Sequence, residues 1–283
     1  MGPEPMGTKL FIIDPQNDFC DIESAALPVP GASADLDRLS ALIARLGDAV
    51  TEITVTLDSH PYVAIERVTF WRRADGEPVA PFTEITAGMM RQGLYLPRND
   101  KLLPEVLEYL CRLEAQGRYR LMVWPVHCVL GTPGHNVYAP LARAFADWEV
   151  LTQRPVVKVL KGSNPLTEHY SAIRAEVPRL DDPGTGVDDR LIARVRPAPG
   201  ERLLVAGEAS SHCVCATVRD LLEAFSDPER SRIVLLTDCM SPVRGFEAQA
   251  RTCLADALAA GAMLMRSEEA LAALGLERDR LSR

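Results

Sequence analysis

The sequence predicts an α/β protein, a three-layer doubly wound sandwich around a mostly parallel central sheet. Three observations carry that prediction. Apolar runs of strand length recur at residues 9–13, 203–206 and 232–237, and a run without polar alternation marks a strand buried on both faces, as in parallel sheets. Segments of helical period alternate with these runs, the pattern of βαβ units. Short turns of small and ionisable residues follow the strands, and in open α/β sheets ligands bind just beyond the strands' carboxyl ends.

The first run ends at Asp14-Pro15, followed by Gln16-Asn17-Asp18-Phe19-Cys20. An aspartate there serves chemistry or simply a turn. Residues 33–47 set Leu36, Leu39, Leu42, Ile43 and Leu46 on one helical face. Residues 51–57 alternate into a second strand that ends in Asp58-Ser59-His60. A carboxylate and an imidazole two residues apart begin a metal site, or make a hydrogen-bonded turn. Residues 61–117 read as irregular until a helix near 104–115, for which Asn99, Asp100 and Pro104 are start signals. A connection this long covers or serves a site, here as part of a lid.

Residues 120–124 form a third strand with His127 just beyond it, so Asp58, His60 and His127 converge on one rim. Three such ligands leave positions for water or substrate, and Trp124 offers a flat apolar wall. The loop from Gly131 to Gly134 has neither Walker nor Rossmann spacing. Residues 155–160 form another strand, ending at Lys161-Gly162. Lys161 is either a solvated strand-end charge or a fixed cation between Asp14 and Cys213. Residues 174–200, rich in Pro and Gly around Asp181 and Asp182, read as an exposed insertion.

After the run at 203–206, Gly207 opens a small-residue turn. Val214, Val218, Leu221, Leu222 and Phe225 then mark one face of a helix whose first turn holds Cys213. The helix N-terminus favours a thiolate there, although a buried cysteine also serves as a small apolar residue. A helix near 247–259 and a strand at 262–265 complete the alternation.

A net charge of −8 and a pI near 5.3 argue against nucleic acid or an anionic membrane as partner. The 47% hydrophobic content and mean hydropathy of −0.02 allow an ample core, and no apolar run approaches the ~20 residues of a membrane span. The first residues lack the basic and apolar regions of a signal peptide. Seven cysteines without framework spacing fit a reducing cytoplasm better than a disulfide-bonded fold. Cys213 and Cys215 point apart on a helix and form no redox couple.

Taken together and in this order, several motifs resemble the isochorismatase-like cysteine hydrolases, and in particular their nicotinamidase branch. The matching residues are Asp14 to Phe19, Asp58-Ser59-His60, and Trp124-Pro125-Val126-His127-Cys128 with Gly131, Thr132 and Gly134. Lys161-Gly162 with Tyr170-Ser171-Ala172, and the stretch from Gly207 through Cys213 to Val214, complete the set. The resemblance implies one domain over residues 1–283, with insertions near 62–118 and 174–200. It implies Cys213 as nucleophile, Asp14 as general acid/base, Lys161 as supporting cation, a cis peptide before Ala209, and an oxyanion hole from the N–H groups of Ala209 and Cys213. It further implies that Phe19 and Trp124 sandwich the substrate ring. Asp58, His60 and His127 would hold a divalent metal, zinc or else iron or manganese. Relatives carry a further histidine where this chain has Glu66 and Arg67. Glu66 offers a carboxylate ligand, whereas Arg67 offers a cation that excludes the metal. His212, beside the nucleophile, is a pocket residue or merely a turn residue. The implied activity is conversion of nicotinamide and water to nicotinate and ammonia through a Cys213 thioester, in a cytoplasmic homo-oligomer. The alternatives are a metal-free amidohydrolase acting on a carbamoyl, ureido or other small amide, and a noncatalytic binding protein of the same fold.

Overall fold

A computed structural model describes residues 7–274; residues 1–6, on which the reading of no signal peptide rests, lie outside the described residues. The chain opens with β1 (Thr8–Ile13), α1 (Ala32–Leu46) and β2 (Val50–Asp58). A long connection then holds β3 (Trp71–Arg73), β4 (Thr83–Ile85), α2 (Ala87–Arg91), β5 (Tyr95–Pro97) and α3 (Leu103–Gln116). Next come β6 (Leu121–Val123), α4 (Ala139–Thr152), β7 (Val157–Lys161) and α5 (Asp189–Val195). The last part runs β8 (Arg202–Gly207), α6 (Cys213–Ala224), α7 (Asp227–Arg230) and β9 (Ile233–Leu236). It ends in α8 (Glu247–Ala259), β10 (Met263–Met265) and α9 (Ser267–Ala273).

Six strands form one sheet in the order β10-β9-β8-β1-β2-β7, with every pair parallel. The uninterrupted apolar runs follow directly from that arrangement. Phe11 and Ile13 of β1, with Leu203 and Val205 of β8, pack on one face against α5, α6 and α8. Leu10 and Ile12, with Leu204 and Ala206, pack on the other against α1, α4 and α9. Each strand therefore buries both sets of side chains, and three layers result. From the β1–β8 pair the chain winds outward in both directions, which makes the carboxyl ends of these two strands the switch point where sites form.

Register then places the chemistry. Ile13 lies opposite Gly207, and Asp58 lies opposite Lys161. Gly207 has φ +114°, and a Cβ there would run into the backbone of Ile13. Only glycine lets the two strands approach so closely at this end.

Four sequence expectations are corrected. β6 is not a strand of the central sheet; it pairs antiparallel with β4, because the open edge of β2 is taken by β7 and because Leu121 and Val123 are buried in a separate cluster with Trp71, Ile85, Leu110 and Leu113. The connection 61–117 is accordingly not irregular but a small structured layer with its own core. Residues 174–200 are only in part the exposed insertion expected: Leu180, Asp181, Pro183 and Gly184 are exposed, but Ala175, Val177, Thr185, Leu191, Ile192 and Val195 are buried, and α5 covers the sheet. The helix α4 was not anticipated, although Leu141, Phe145 and Trp148 recur at helical spacing and are all buried.

The fourth correction concerns the cysteines. Cys215 and Cys253 form a disulfide with a Cα–Cα distance of 5.8 Å, within bonding range because α6 and α8 lie side by side on one face. Sequence separation, 38 residues here, hides such a pairing. No helix among the described residues is long and apolar enough to cross a membrane. Unreduced, denatured protein should expose five reactive thiols, rising to seven on reduction. Cys253→Ala should lower unfolding stability by about 2–4 kcal/mol. Seven thiols in the unreduced protein would contradict the bond.

Candidate active site

Asp14 is the first residue past β1 and adopts φ 46°, a left-handed conformation that non-glycine residues take only when held. Thr56 on β2 holds it. The Asp14 N–H donates to the Thr56 carbonyl at 3.2 Å, and Thr56 Oγ1 donates to Asp14 Oδ1 at 2.6 Å. Gln16 fixes the neighbouring strand end: its side chain donates to the Asp58 carbonyl at 2.8 Å and accepts from the Asp58 N–H at 2.7 Å.

Lys161 joins the parts. Its Nζ lies 2.9 Å from Asp14 Oδ2 and 2.9 Å from Asp58 Oδ1, and donates to the His169 carbonyl at 3.0 Å and to Cys213 Sγ at 3.6 Å. An ammonium has three N–H bonds, so four acceptors share them and the thiol receives the longest. Burial alone would lower the lysine's pKa, but Asp14, Asp58 and Cys213 outweigh it and hold the value well above the ordinary one. The lysine is therefore charged. Its sequence alternative, a solvated strand-end charge, is excluded by 3% exposure.

Cys213 begins α6 at the floor of a cleft, with its ring-bearing neighbour His212 as the N-cap residue. The Glu208–Ala209 peptide is cis, and the Ala209 carbonyl accepts from the His212 and Val214 N–H groups, folding the turn tightly under the thiol. Burial and the neighbouring acids act against the pull of the helix terminus on this thiol. Burial pushes the thiol pKa up, Lys161 opposes this, and Asp14 and Asp58 push it further up. Burial likewise raises the Asp14 carboxyl, against the pull of Lys161. A carboxylate made more basic by burial and a thiol, bridged by a fixed cation, are placed to exchange a proton.

Asp58, His60 and His127 do converge. His60 Nε2 lies 2.7 Å from Asp58 Oδ1, and His127 Nε2 lies 3.4 Å from Asp58 Oδ2. Gly162, at φ +84°, leaves room for the His60 ring, which a Cβ there would strike. Arg67 stands among them with 0% exposure. Its Nη1 contacts the His127 ring and donates to the Pro125 carbonyl at 3.2 Å, its Nε lies 3.1 Å from Glu66 Oε1, and its Nη2 lies 3.8 Å from Asp58 Oδ2. His60 Nδ1 faces the same Glu66 oxygen at 3.1 Å. The residues present do not fit a divalent ion: a fixed guanidinium fills the space between the ligands and would repel it. Among the described residues no group of three His, Cys, Asp or Glu side chains is arranged to hold a metal, and Asp58, His60 and His127, the expected ligands, pack around Arg67 instead. Burial and Arg67 both lower the His127 pKa, and burial with Arg67 brings His60 to about 4.

The cleft reaches from Cys213 and Ala209 past Phe19 and Trp124 to Arg67. Phe19 packs edge-on to His127 with centroids 5.2 Å apart, and Trp124 packs edge-on to His212 at 5.1 Å. Both expected ring contacts thus line the cleft, each fixed by a histidine. Sequence reasoning missed Thr56 as the clamp on Asp14, although a buried threonine in an apolar strand is a signal. It also missed Asp58 as a partner of Lys161, which only the β2–β7 register reveals.

His212 is a cleft residue, packed among Tyr119, Tyr170, Trp124 and Phe246. Burial lowers its pKa from 6.5 to about 3. Its neutral form contributes stability that is complete above pH 6.5 and is lost as pH falls toward the folded value, because the unfolded chain takes up the proton first. Replacing it by the non-titrating His212→Asn should therefore flatten the acid limb of unfolding stability by about 1.4 kcal/mol per pH unit between roughly pH 6 and 4.5. An unchanged slope would show that the ring is not buried neutral.

No protein-family model and no curated protein matches the chain. Solved structures do. PnC1 from L. infantum, in complex with nicotinate, is 24% identical, with a TM-score of 0.58 over 94% of this chain and 95% of its own. A nicotinamidase/pyrazinamidase from Acinetobacter baumanii is 17% identical, with a TM-score of 0.63 over 95% and 100%. The Pyrococcus horikoshii pyrazinamidase, in complex with zinc, is 20% identical, with a TM-score of 0.53 over 92% and 98%. The chain therefore has the α/β fold that these enzymes share with the isochorismatase-like hydrolases.

Proposed function

We propose that the protein is a cysteine-dependent amidohydrolase acting on a small amide. The observation that carries this reading is the bridge of Lys161 between Asp14 and Cys213, at 2.9 Å and 3.6 Å. An amide carbonyl is a poor electrophile and ammonia a poor leaving group, so hydrolysis needs a strong nucleophile and a proton carrier.

In this mechanism Asp14 takes the Cys213 proton as sulfur attacks the carbonyl carbon, while Lys161 stabilises the charge developing on the thiolate. The N–H groups of Ala209 and Cys213 hold the oxyanion, each donor contributing roughly 10²–10³ in rate. The protonated Asp14 gives its proton to nitrogen as the C–N bond breaks, releasing ammonia and leaving a thioester on Cys213. Water then attacks the thioester with Asp14 as base, and the acid departs as the thiol is restored. No step passes through a metal.

Nicotinamide as substrate is the second reading. It is favoured by the aromatic walls Phe19 and Trp124 and by the fold shared with a protein solved in complex with nicotinate. Ammonia release from a panel of small amides that includes nicotinamide tests both readings. Cys213→Ala and Asp14→Asn should each lower turnover at least about a thousandfold while the folded protein persists. Turnover retained in Cys213→Ala would overturn the assignment.

A further inference from the structure

Resting on the amidohydrolase reading, we propose that Arg67 occupies the place of a metal ion, and that its guanidinium is the specificity-determining group which receives an oxygen acceptor on the substrate.

The donor set is one that a cation must complete. Asp58, Glu66 and His127 each lie against Arg67, His60 bridges Asp58 and Glu66, and all four are at least nine-tenths buried. Converging carboxylates and imidazoles need a positive charge at their centre. Arg67 supplies it from within the chain, one residue after Glu66, and the short connection from β2 keeps it there. A guanidinium differs from a metal in what it can bind. It has no empty orbital for a ring nitrogen's lone pair and polarises nothing as a Lewis acid; it offers directed N–H donors in a planar fork.

Those donors are not all used. Nε faces Glu66 Oε1 at 3.1 Å, but Nη2, 3.8 Å from Asp58 Oδ2, is buried without a hydrogen-bond partner among the described residues, and the arginine lines the same cleft as Cys213. Oxygen acceptors fit a fork of this kind best, a carboxylate in bidentate fashion and a second carbonyl singly. The neighbouring Asp58 carboxylate opposes added negative charge, so the shared chemistry is an oxygen acceptor, whether charged or neutral. The substrate class is then a small amide with such a group at its far end.

Zinc content and selectivity test the proposal separately. Wild-type protein equilibrated with zinc and passed through a desalting column should retain less than about one-tenth of an ion per chain, whereas Arg67→His, which removes the fixed charge and adds a ligand, should retain about one. A wild-type protein holding one zinc per chain overturns the proposal, as does an Arg67→His protein that folds and holds none. Succinamate, succinamide and butyramide present a carboxylate, a carbonyl and no far acceptor on the same chain. The wild type should prefer one or both of the first two over butyramide at least tenfold in kcat/KM, and their relative rates tell carboxylate from carbonyl. Arg67→Lys, which keeps charge but loses the fork, should lose most of that preference. Equal rates on all three overturn the proposal. Hydrolysis of none of the amides would instead count against the amidohydrolase reading, and the zinc measurement would still decide whether Arg67 excludes a metal.

Discussion

The arrangement depends on one buried ammonium. Lys161 is the last residue of β7, and its register opposite Asp58 on β2 puts a positive charge under the switch point of the sheet. Asp14, Asp58 and Cys213 all converge on it. Without that charge two carboxylates would lie buried with no compensation, a situation that costs on the order of 3–5 kcal/mol when one partner of a buried pair is removed. Structure and chemistry are thus supported by the same contact. The cation that makes the site foldable also lies beside the thiol that must lose its proton.

Around it the site manages an excess of acids in two ways. Arg67 compensates Asp58 and Glu66 directly. Burial also raises carboxyl pKa values, Glu66 to about 8 and Glu168 to about 7, with Arg67 opposing the shift in both. Asp58 goes the other way, because His60 and Lys161 together overcome the cost of its burial and hold it well below the usual carboxylate range. Neighbouring acids in one cleft therefore differ in charge by environment alone.

Much of this was legible in the sequence, and what was legible was local. The runs at 9–13 and 203–206 announced strands buried on both faces, and the turn before Cys213 announced a site at a strand's carboxyl end. Asp14, Lys161 and Cys213 could be named from their positions after strands, with the motif resemblance supplying their roles. The pairings that cross the chain were not legible. The Cys215–Cys253 bond, the Thr56 clamp on Asp14 and the antiparallel pairing of β6 with β4 each join residues distant in sequence. Arg67 was visible as a departure from the expected histidine, but its position among Asp58, Glu66 and His127 required the fold. The burial of Ala175, Val177 and α5 escaped notice because Pro- and Gly-rich composition reports turns and not where the flanking residues pack.

The most direct test of the account is the mass of the protein quenched in acid during turnover of a hydrolysed amide. The account predicts an added acyl group on the peptide bearing Cys213, labile to hydroxylamine as a thioester is, and absent in Cys213→Ala. An adduct on another residue, or continued turnover in Cys213→Ala with no adduct, would contradict it.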